Sequence, residues 1–138
     1  MILSMIDQSY VSQSQGFTIE VKTDFDFDNS NPLQFHYLFR YTIAITNNTN
    51  KVCQLISRKW NIKDGKGQTK VVEGPGVVGQ TPVFMPGQTH EYSSFCPLPT
   101  LNGEMWGHFN MIEQGGGPFK IETPVFIFRV PEDFIDRY

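Results

Sequence analysis

Apolar and polar residues alternate along most of this chain, and a period of two defines strands, because successive side chains of a strand point to opposite faces. In Phe17-Thr-Ile-Glu-Val-Lys22 the alternation places Phe17, Ile19 and Val21 on one face. Asp24-Phe-Asp-Phe-Asp28 keeps the period with carboxylates on one side, and Asn29-Ser-Asn-Pro32 ends it as a turn. The longest run is His36 to Thr46, where Tyr37, Phe39, Tyr41, Ile43 and Ile45 alternate with His36, Leu38, Arg40, Thr42, Ala44 and Thr46. That pattern predicts a central strand with one face in the core. Asn47-Asn-Thr-Asn50 reads as a hairpin-type turn into Lys51–Ile62. Cys53, Leu55 and Ser57 share one parity there and Trp60 and Ile62 the other, so a β-bulge or sharp twist is expected between Ser57 and Trp60.

Asp64-Gly-Lys-Gly67 is a second hairpin turn, and Gln68–Glu73 is the strand that leads into a glycine-rich loop. Pro86-Gly87 turns the chain into a strand over 88–96, Pro97, Pro99 and Gly103 interrupt it, and the next strand covers 104–113. After Gln114-Gly-Gly-Gly-Pro118, a last strand over 119–130 contains Pro124, which implies an edge position or a bulge. Nowhere does a 3.6-residue period persist. Seven or eight strands with turn chemistry between them predict an all-β fold, an immunoglobulin-like antiparallel β-sandwich. The sandwich domain is expected over residues 16–130. Residues 1–15, polar with repeated Ser and Gln, are expected to be a flexible segment, and 131–138 a tail with one helical turn started by Pro131.

A length of 138 residues with 39% hydrophobic and 14% aromatic residues suits one domain with a proper core. The net charge of -3 and pI near 5.5 argue against general binding to nucleic acid or anionic membranes, both of which need a basic field. Cys53 and Cys96 form no C-x-x-C pair, Met1–Ile6 has neither a basic region nor a long apolar one, and no apolar run approaches the roughly 20 residues that span a bilayer. A cytoplasmic protein with reduced thiols is the expectation. The acceptor triplet Asn47-Asn-Thr49 carries no meaning without secretion.

Candidate chemistry centres on Glu73-Gly-Pro-Gly-Val-Val-Gly-Gln80, where Gly74, Gly76 and Gly79 spell G-x-G-x-x-G. A dinucleotide-binding loop of that spelling opens a helix, and Pro82 and Pro86 forbid one here. What remains is a glycine loop between extended segments. Its N–H groups around Gly74, Gly76, Val77, Val78 and Gly79 are candidates for an anion nest, with Arg58 beside them. Five of the eleven basic residues lie in the hairpin that delivers the loop: Arg58, Lys59, Lys63, Lys66 and Lys70. The competing reading is that the glycines permit positive φ at a sandwich corner and the lysines form a solvated face.

Other constellations are weaker. His36, His90 and His108 lack the spacing of a zinc site, although His90 and His108 would converge if strands 88–96 and 104–113 were neighbours. Asp24, Asp26 and Asp28 echo half a calcium loop, but Asn29 stands at the turn glycine and Phe35 at the bidentate glutamate. Neither Cys53 nor the Ser93-Ser94 pair sits like an activated nucleophile. No catalytic or metal residue is assigned and no cofactor is implied. Trp106, opposite in parity to Met105, Phe109 and Met111, is the candidate partner surface.

Ser57-Arg-Lys-Trp-Asn-Ile-Lys-Asp64, Val72–Pro82, Met85-Pro-Gly87, Glu91-Tyr-Ser-Ser94, Gly103-Glu-Met-Trp-Gly-His-Phe-Asn-Met111, Phe119-Lys-Ile121 and Pro124-Val-Phe126 run in the order found in the ApaG family. On these pieces, from about Phe17 to Arg129, the chain resembles a stand-alone bacterial member of that family. The resemblance implies a fibronectin type III-like β-sandwich without established catalytic activity. It also implies an association with cobalt tolerance and magnesium handling, protein–protein interaction by related domains, and pyrophosphate or nucleotide binding by the glycine motif. The expected function is a non-enzymatic binding or interaction module for a protein partner or a phosphate-containing small molecule. The alternative is an enzyme or carrier acting on phosphorylated nucleotides. Exposed sheet edges leave both a monomer and an edge-paired homodimer open.

Overall fold

The computed structural model describes residues 8–135, which form two packed antiparallel sheets. In chain order the strands are β1 (Gln8–Ser14), β2 (Phe17–Phe25), β3 (Tyr37–Asn47), β4 (Cys53–Asp64), β5 (Thr69–Pro75), β6 (Val83–Phe84), β7 (Thr89–Leu98), β8 (Asn102–Glu113), β9 (Pro118–Glu122) and β10 (Phe126–Arg129), followed by one helical turn, α1 (Glu132–Ile135). One sheet runs β1-β2-β3-β7 and the other β10-β8-β4-β5, with β6 also on β4 and β9 also on β8. This is the expected sandwich of the immunoglobulin and fibronectin type III kind.

The alternation read from the sequence builds the core. Phe17, Ile19 and Val21 of β2 are fully buried, as are Phe39, Ile43 and Ile45 of the central strand β3. They meet Leu55 and Trp60 of β4, Met105, Phe109 and Met111 of β8, and Phe126 and Phe128 of β10. Ring contacts tie the two layers together: Phe39 stacks on Phe128 at 5.1 Å and Tyr41 meets Trp60 edge-on at 6.0 Å.

Several expectations are corrected. Of the polar segment before Gly16, residues 8–14 are strand β1, paired with β2 from Gln8↔Thr23 to Ser14↔Phe17, so the sandwich begins earlier than expected. Gln15 (φ 51°) and Gly16 (φ 80°) make the tight turn between them. An edge strand is held by its main-chain ladder, which hydrophobic periodicity does not report. Residues 1–7 lie outside the described residues. The strand expected over 119–130 divides at Pro124 into β9 and β10, which lie along the same edge of β8, and this division, β1 and the two-residue β6 bring the strands among the described residues to ten. Proline has no N–H for the ladder. The bulge in β4 exists but falls between Leu55 and Ser57, earlier than expected. The segment Asn47–Asn50 is a corner between the sheets and not a hairpin, because β3 and β4 lie in different sheets. Its centre is Asn47, fully buried, whose amide donates to the carbonyls of Lys51 (2.8 Å) and Phe84 (3.2 Å) and accepts from Thr49. Finally, the tail docks through Phe134, buried against Phe25 and Phe27, both at 4.8 Å; residues 136–138 lie outside the described residues.

Candidate functional site

The two sides of the sandwich differ. On one side β1 is stitched to β9: Ser12 Oγ donates to the Glu122 carbonyl (2.9 Å), and Glu122 N–H donates to Ser14 Oγ (3.0 Å). Thr23 Oγ1 adds a bond to the Ile127 carbonyl at 3.1 Å. On the other side, no ladder joins β7 to β5, the free edges of the two sheets. Between them lies a cavity of about 550 Å³. Tyr92, Cys96 and Leu98 of β7 form one wall, and Trp60, Lys70 and Val72 of β4 and β5 the other, with Tyr41 of β3 between. Arg58 and Val78 stand at its mouth, so the glycine loop is part of its rim.

The loop is built around Arg58. This residue is on the same face of β4 as Trp60, half-buried, opposite Gly74 of β5 and Phe109 of β8. Its Nη1 donates to the carbonyls of Pro75 (2.9 Å) and Gly76 (3.0 Å). Each glycine has a local reason. A Cβ on Gly74 would lie 3.0 Å from Arg58 Nη1 and 3.3 Å from Cζ, so glycine leaves the guanidinium room to lie over the strand. At Gly76 the backbone has φ 59°, and a Cβ would collide with the Gln80 carbonyl. Gly79, at φ 75°, follows Val78 at φ 47° in a tight turn closed by reciprocal hydrogen bonds between Val77 and Gln80 (2.8 and 3.0 Å). Val77 itself is buried and anchors the turn in the core.

Much of the expected nest is therefore spent on the fold. Gly76 N–H donates to the Ile56 carbonyl at 2.8 Å, and Val77 N–H to Gln80. Gly74 lies inside the β4–β5 ladder. Of the five residues read as the loop, Val78 and Gly79 sit at its exposed tip. The basic residues of the hairpin do not form one patch either. Arg58 and Lys70 line the cavity, whereas Lys59 and Lys63 alternate to the opposite face of β4 and Lys66 sits in the turn.

Two buried polar atoms in the described chain have no hydrogen-bond partner: Trp60 Nε1 and Tyr92 Oη. Both residues line the cavity. Sequence reasoning placed Trp60 in the core and gave Tyr92 no role. Both lie in pieces that carry the family resemblance, Ser57–Asp64 and Glu91–Ser94, but in no chemical motif; what marks them is the missing partner. Burial raises the Tyr92 hydroxyl well above its ordinary value, and burial also raises Tyr41, which is bonded to Ser94. The Cys96 thiol is pushed by burial up to about 11 although Lys70 opposes the shift, so it is protonated at neutral pH and no nucleophile. Asp64, at the end of the cavity, is occupied in its turn, accepting from the N–H groups of Lys66 (2.8 Å) and Gln68 (3.0 Å).

The remaining candidates are scattered. β7 and β8 belong to different sheets, so His90 and His108 are not brought together as neighbours; His90 packs between the rings of Phe84 and Tyr92. Among the described residues no group of three His, Cys, Asp or Glu side chains could hold a metal ion. Asp24 pairs with Arg40 at 2.9 Å, and Asp26 accepts from Asn29. Trp106 lies on the outer face of β8, half-buried, with its carbonyl accepting from Asn61 Nδ2 at 3.4 Å. No helix among the described residues is long and apolar enough to cross a membrane.

Fold and site together define a fibronectin type III-like sandwich, closed along one seam and open along the other, with a glycine-supported arginine at the opening. A family model described as the ApaG domain matches residues 27–113. The chain is 42% identical over 122 residues to an ApaG protein of Methylobacterium sp. (strain 4-46), covering 88% of this chain and 94% of the relative. It is 39% identical over 123 residues to an ApaG protein of Brucella anthropi, covering 89% and 95%. A crystal structure of a protein described as ApaA, from Bordetella pertussis, superposes with a TM-score of 0.81 at 41% identity, over 83% of this chain and 94% of that one. The C-terminal domain of wzt, at 13% identity and a TM-score of 0.51, shares the fold alone. The chain belongs to the ApaG family.

Proposed function

We propose that this ApaG-family domain is a non-enzymatic binding module whose site is the mouth of the open seam, and that the site takes a phosphate or pyrophosphate group. The observation that carries this reading is Arg58, a cation fixed at a cavity opening by the Pro75 and Gly76 carbonyls. One nitrogen makes those bonds, and a guanidinium has five N–H donors in a planar fork that fits phosphate oxygens. Lys70 stands on the same cavity, and the exposed turn at Val78 and Gly79 lies beside it. The Cys96 thiol is protonated and Asp64 Oδ1 accepts from the N–H groups of Lys66 and Gln68, which favours binding over turnover of phosphorylated nucleotides. On this reading a link to cobalt or magnesium runs through the phosphate group, whose oxygens hold the cation, in keeping with the habit of magnesium to bind with its phosphate partner.

The test is a titration of pyrophosphate, with and without magnesium, into isotope-labelled protein, following the Arg58 side-chain N–H and the Val78 and Gly79 amides. Saturable shifts are expected, and Arg58→Gln is expected to abolish them with its own spectral changes confined to the Gly74–Gln80 loop that Arg58 supports. An unmoved spectrum at millimolar pyrophosphate would refute the proposal. Gly76→Val is an unsuitable control, because its Cβ would meet the Gln80 carbonyl.

A further inference from the structure

Behind Arg58 the cavity has a chemical character of its own. Its walls are largely apolar, from Val72, Leu98 and Met105 to the rings of Tyr41 and Trp60. Its volume of about 550 Å³ is that of a small-molecule pocket, commonly ~300–1,000 Å³. Two polar side chains on it have a buried atom that the fold leaves without a partner. Trp60 Nε1–H can only donate, and it has no partner although Trp60 is 2% exposed. The Tyr92 hydroxyl is likewise unpartnered at 9% exposure. Arg58 and Lys70 add cationic donors. Acceptors are present as well, on Ser94 beside Tyr41, on Gln68 and Thr69, and on Asp64, whose Oδ1 caps its turn, but none of them partners Trp60 Nε1 or Tyr92 Oη. A buried donor left unmade costs about 1–3 kcal/mol, and native folds seldom retain two on one cavity without a group to satisfy them.

We infer that this cavity is a subsite for the body of the ligand. The body is flat, aromatic or heteroaromatic, and carries a hydrogen-bond acceptor for Trp60 Nε1 or Tyr92 Oη, atoms that surrounding groups cover in the structure and that a small side-chain shift bares to the cavity. Joined to the anion at Arg58, the whole ligand is a small aromatic molecule bearing a phosphate or comparable anionic group. The anionic half rests on the function proposed above; the cavity half rests on the two unpartnered donors.

The test uses the Trp106→Phe chain, so that Trp60 is the only tryptophan and its indole N–H resonance and fluorescence report on the cavity alone. Three probes separate the two halves: 1-naphthol for the cavity, inorganic phosphate for the mouth, and 1-naphthyl phosphate for both. The expected result is a saturable shift of the Trp60 indole N–H with naphthol and with naphthyl phosphate, the latter binding at least tenfold tighter, while inorganic phosphate moves the Arg58 and Val78–Gly79 signals and leaves the indole unmoved. Tyr92→Phe keeps the ring and is expected to weaken naphthol about threefold to tenfold while leaving unsubstituted naphthalene unchanged. An indole unmoved by both naphthyl probes at millimolar concentration overturns the cavity subsite, whatever phosphate does at the mouth. Naphthol binding with no advantage for naphthyl phosphate and no response to inorganic phosphate overturns the anionic half and leaves the cavity as a site for neutral aromatics.

Discussion

Val78 is a β-branched residue at φ 47°, in a turn where asparagine or glycine is the usual occupant. Its branched side chain is held there because Val77 is anchored in the core on one side and Gly79 completes the turn on the other. Val78→Asn is expected to raise stability by about 1 kcal/mol, measured by denaturant unfolding; equal or lower stability would mean that the valine is not strained. Cys96 makes a pH-dependent contribution. Folded, the thiol keeps its proton to about pH 11, against an ordinary value of 9.0. Above pH 9 the unfolded chain therefore binds fewer protons than the folded one, so stability is full below pH 9 and falls as pH rises to 11. The loss from this residue is on the order of 2 kcal/mol. Cys96→Ala is expected to flatten the decline without abolishing it, because Tyr92 and Tyr41 are shifted in the same sense. Identical decline in both chains would show that the thiol does not titrate as its burial dictates. The glycosylation triplet is settled at this scale too: Asn47 is fully buried, and its amide is consumed by the corner it holds together.

At the scale of elements, the long alternating strands were legible and the short or polar ones were not. The parity of Phe17, Ile19 and Val21, and that of Tyr37 to Ile45, corresponds residue by residue to the buried faces of β2 and β3. β1 was not legible, since Ser9, Ser12 and Ser14 carry no apolar alternation and contribute side-chain bonds across the seam or along the edge. α1 was legible from Pro131, but its role was not. One turn of helix has little stability alone; it persists because Phe134 fills the space between Phe25 and Phe27. Phe134→Ala is expected to cost about 3 kcal/mol, read as a shift in the denaturant midpoint at unchanged slope. A cost below ~1 kcal/mol would mean the docked turn contributes little.

For the molecule as a whole, the two seams of the sandwich differ. Where β1 meets β9, side-chain and main-chain bonds close the sandwich. Where β7 faces β5, the sheets stay apart and the cavity persists. A chain beginning at Gln15 would expose the edge of β2 and remove the stitching to Glu122. Such a chain is expected to melt several degrees lower and to associate through the bared strand, seen as a larger species in size-exclusion chromatography. A monomer of unchanged melting temperature would show that β1 is dispensable.

The sequence by itself determined the fold class, the central strands and their buried faces, the hairpin at Asp64 and the family, because period-two patterning and turn chemistry are local properties that a single chain displays. It also displayed the three glycines, but not their reasons: the guanidinium over Gly74 and the Gln80 carbonyl against Gly76 come from other segments. Tertiary structure alone decided which strands became neighbours, and so separated His90 from His108. It also decided that the Gly76 and Val77 amides would be spent on the fold and that Trp60 and Tyr92 would line a shared cavity, each with a buried polar atom unpaired. The physical reason is that a site is a matter of distance between remote residues, and the open seam arises only when two sheets, each specified locally, pack against one another and diverge along one edge.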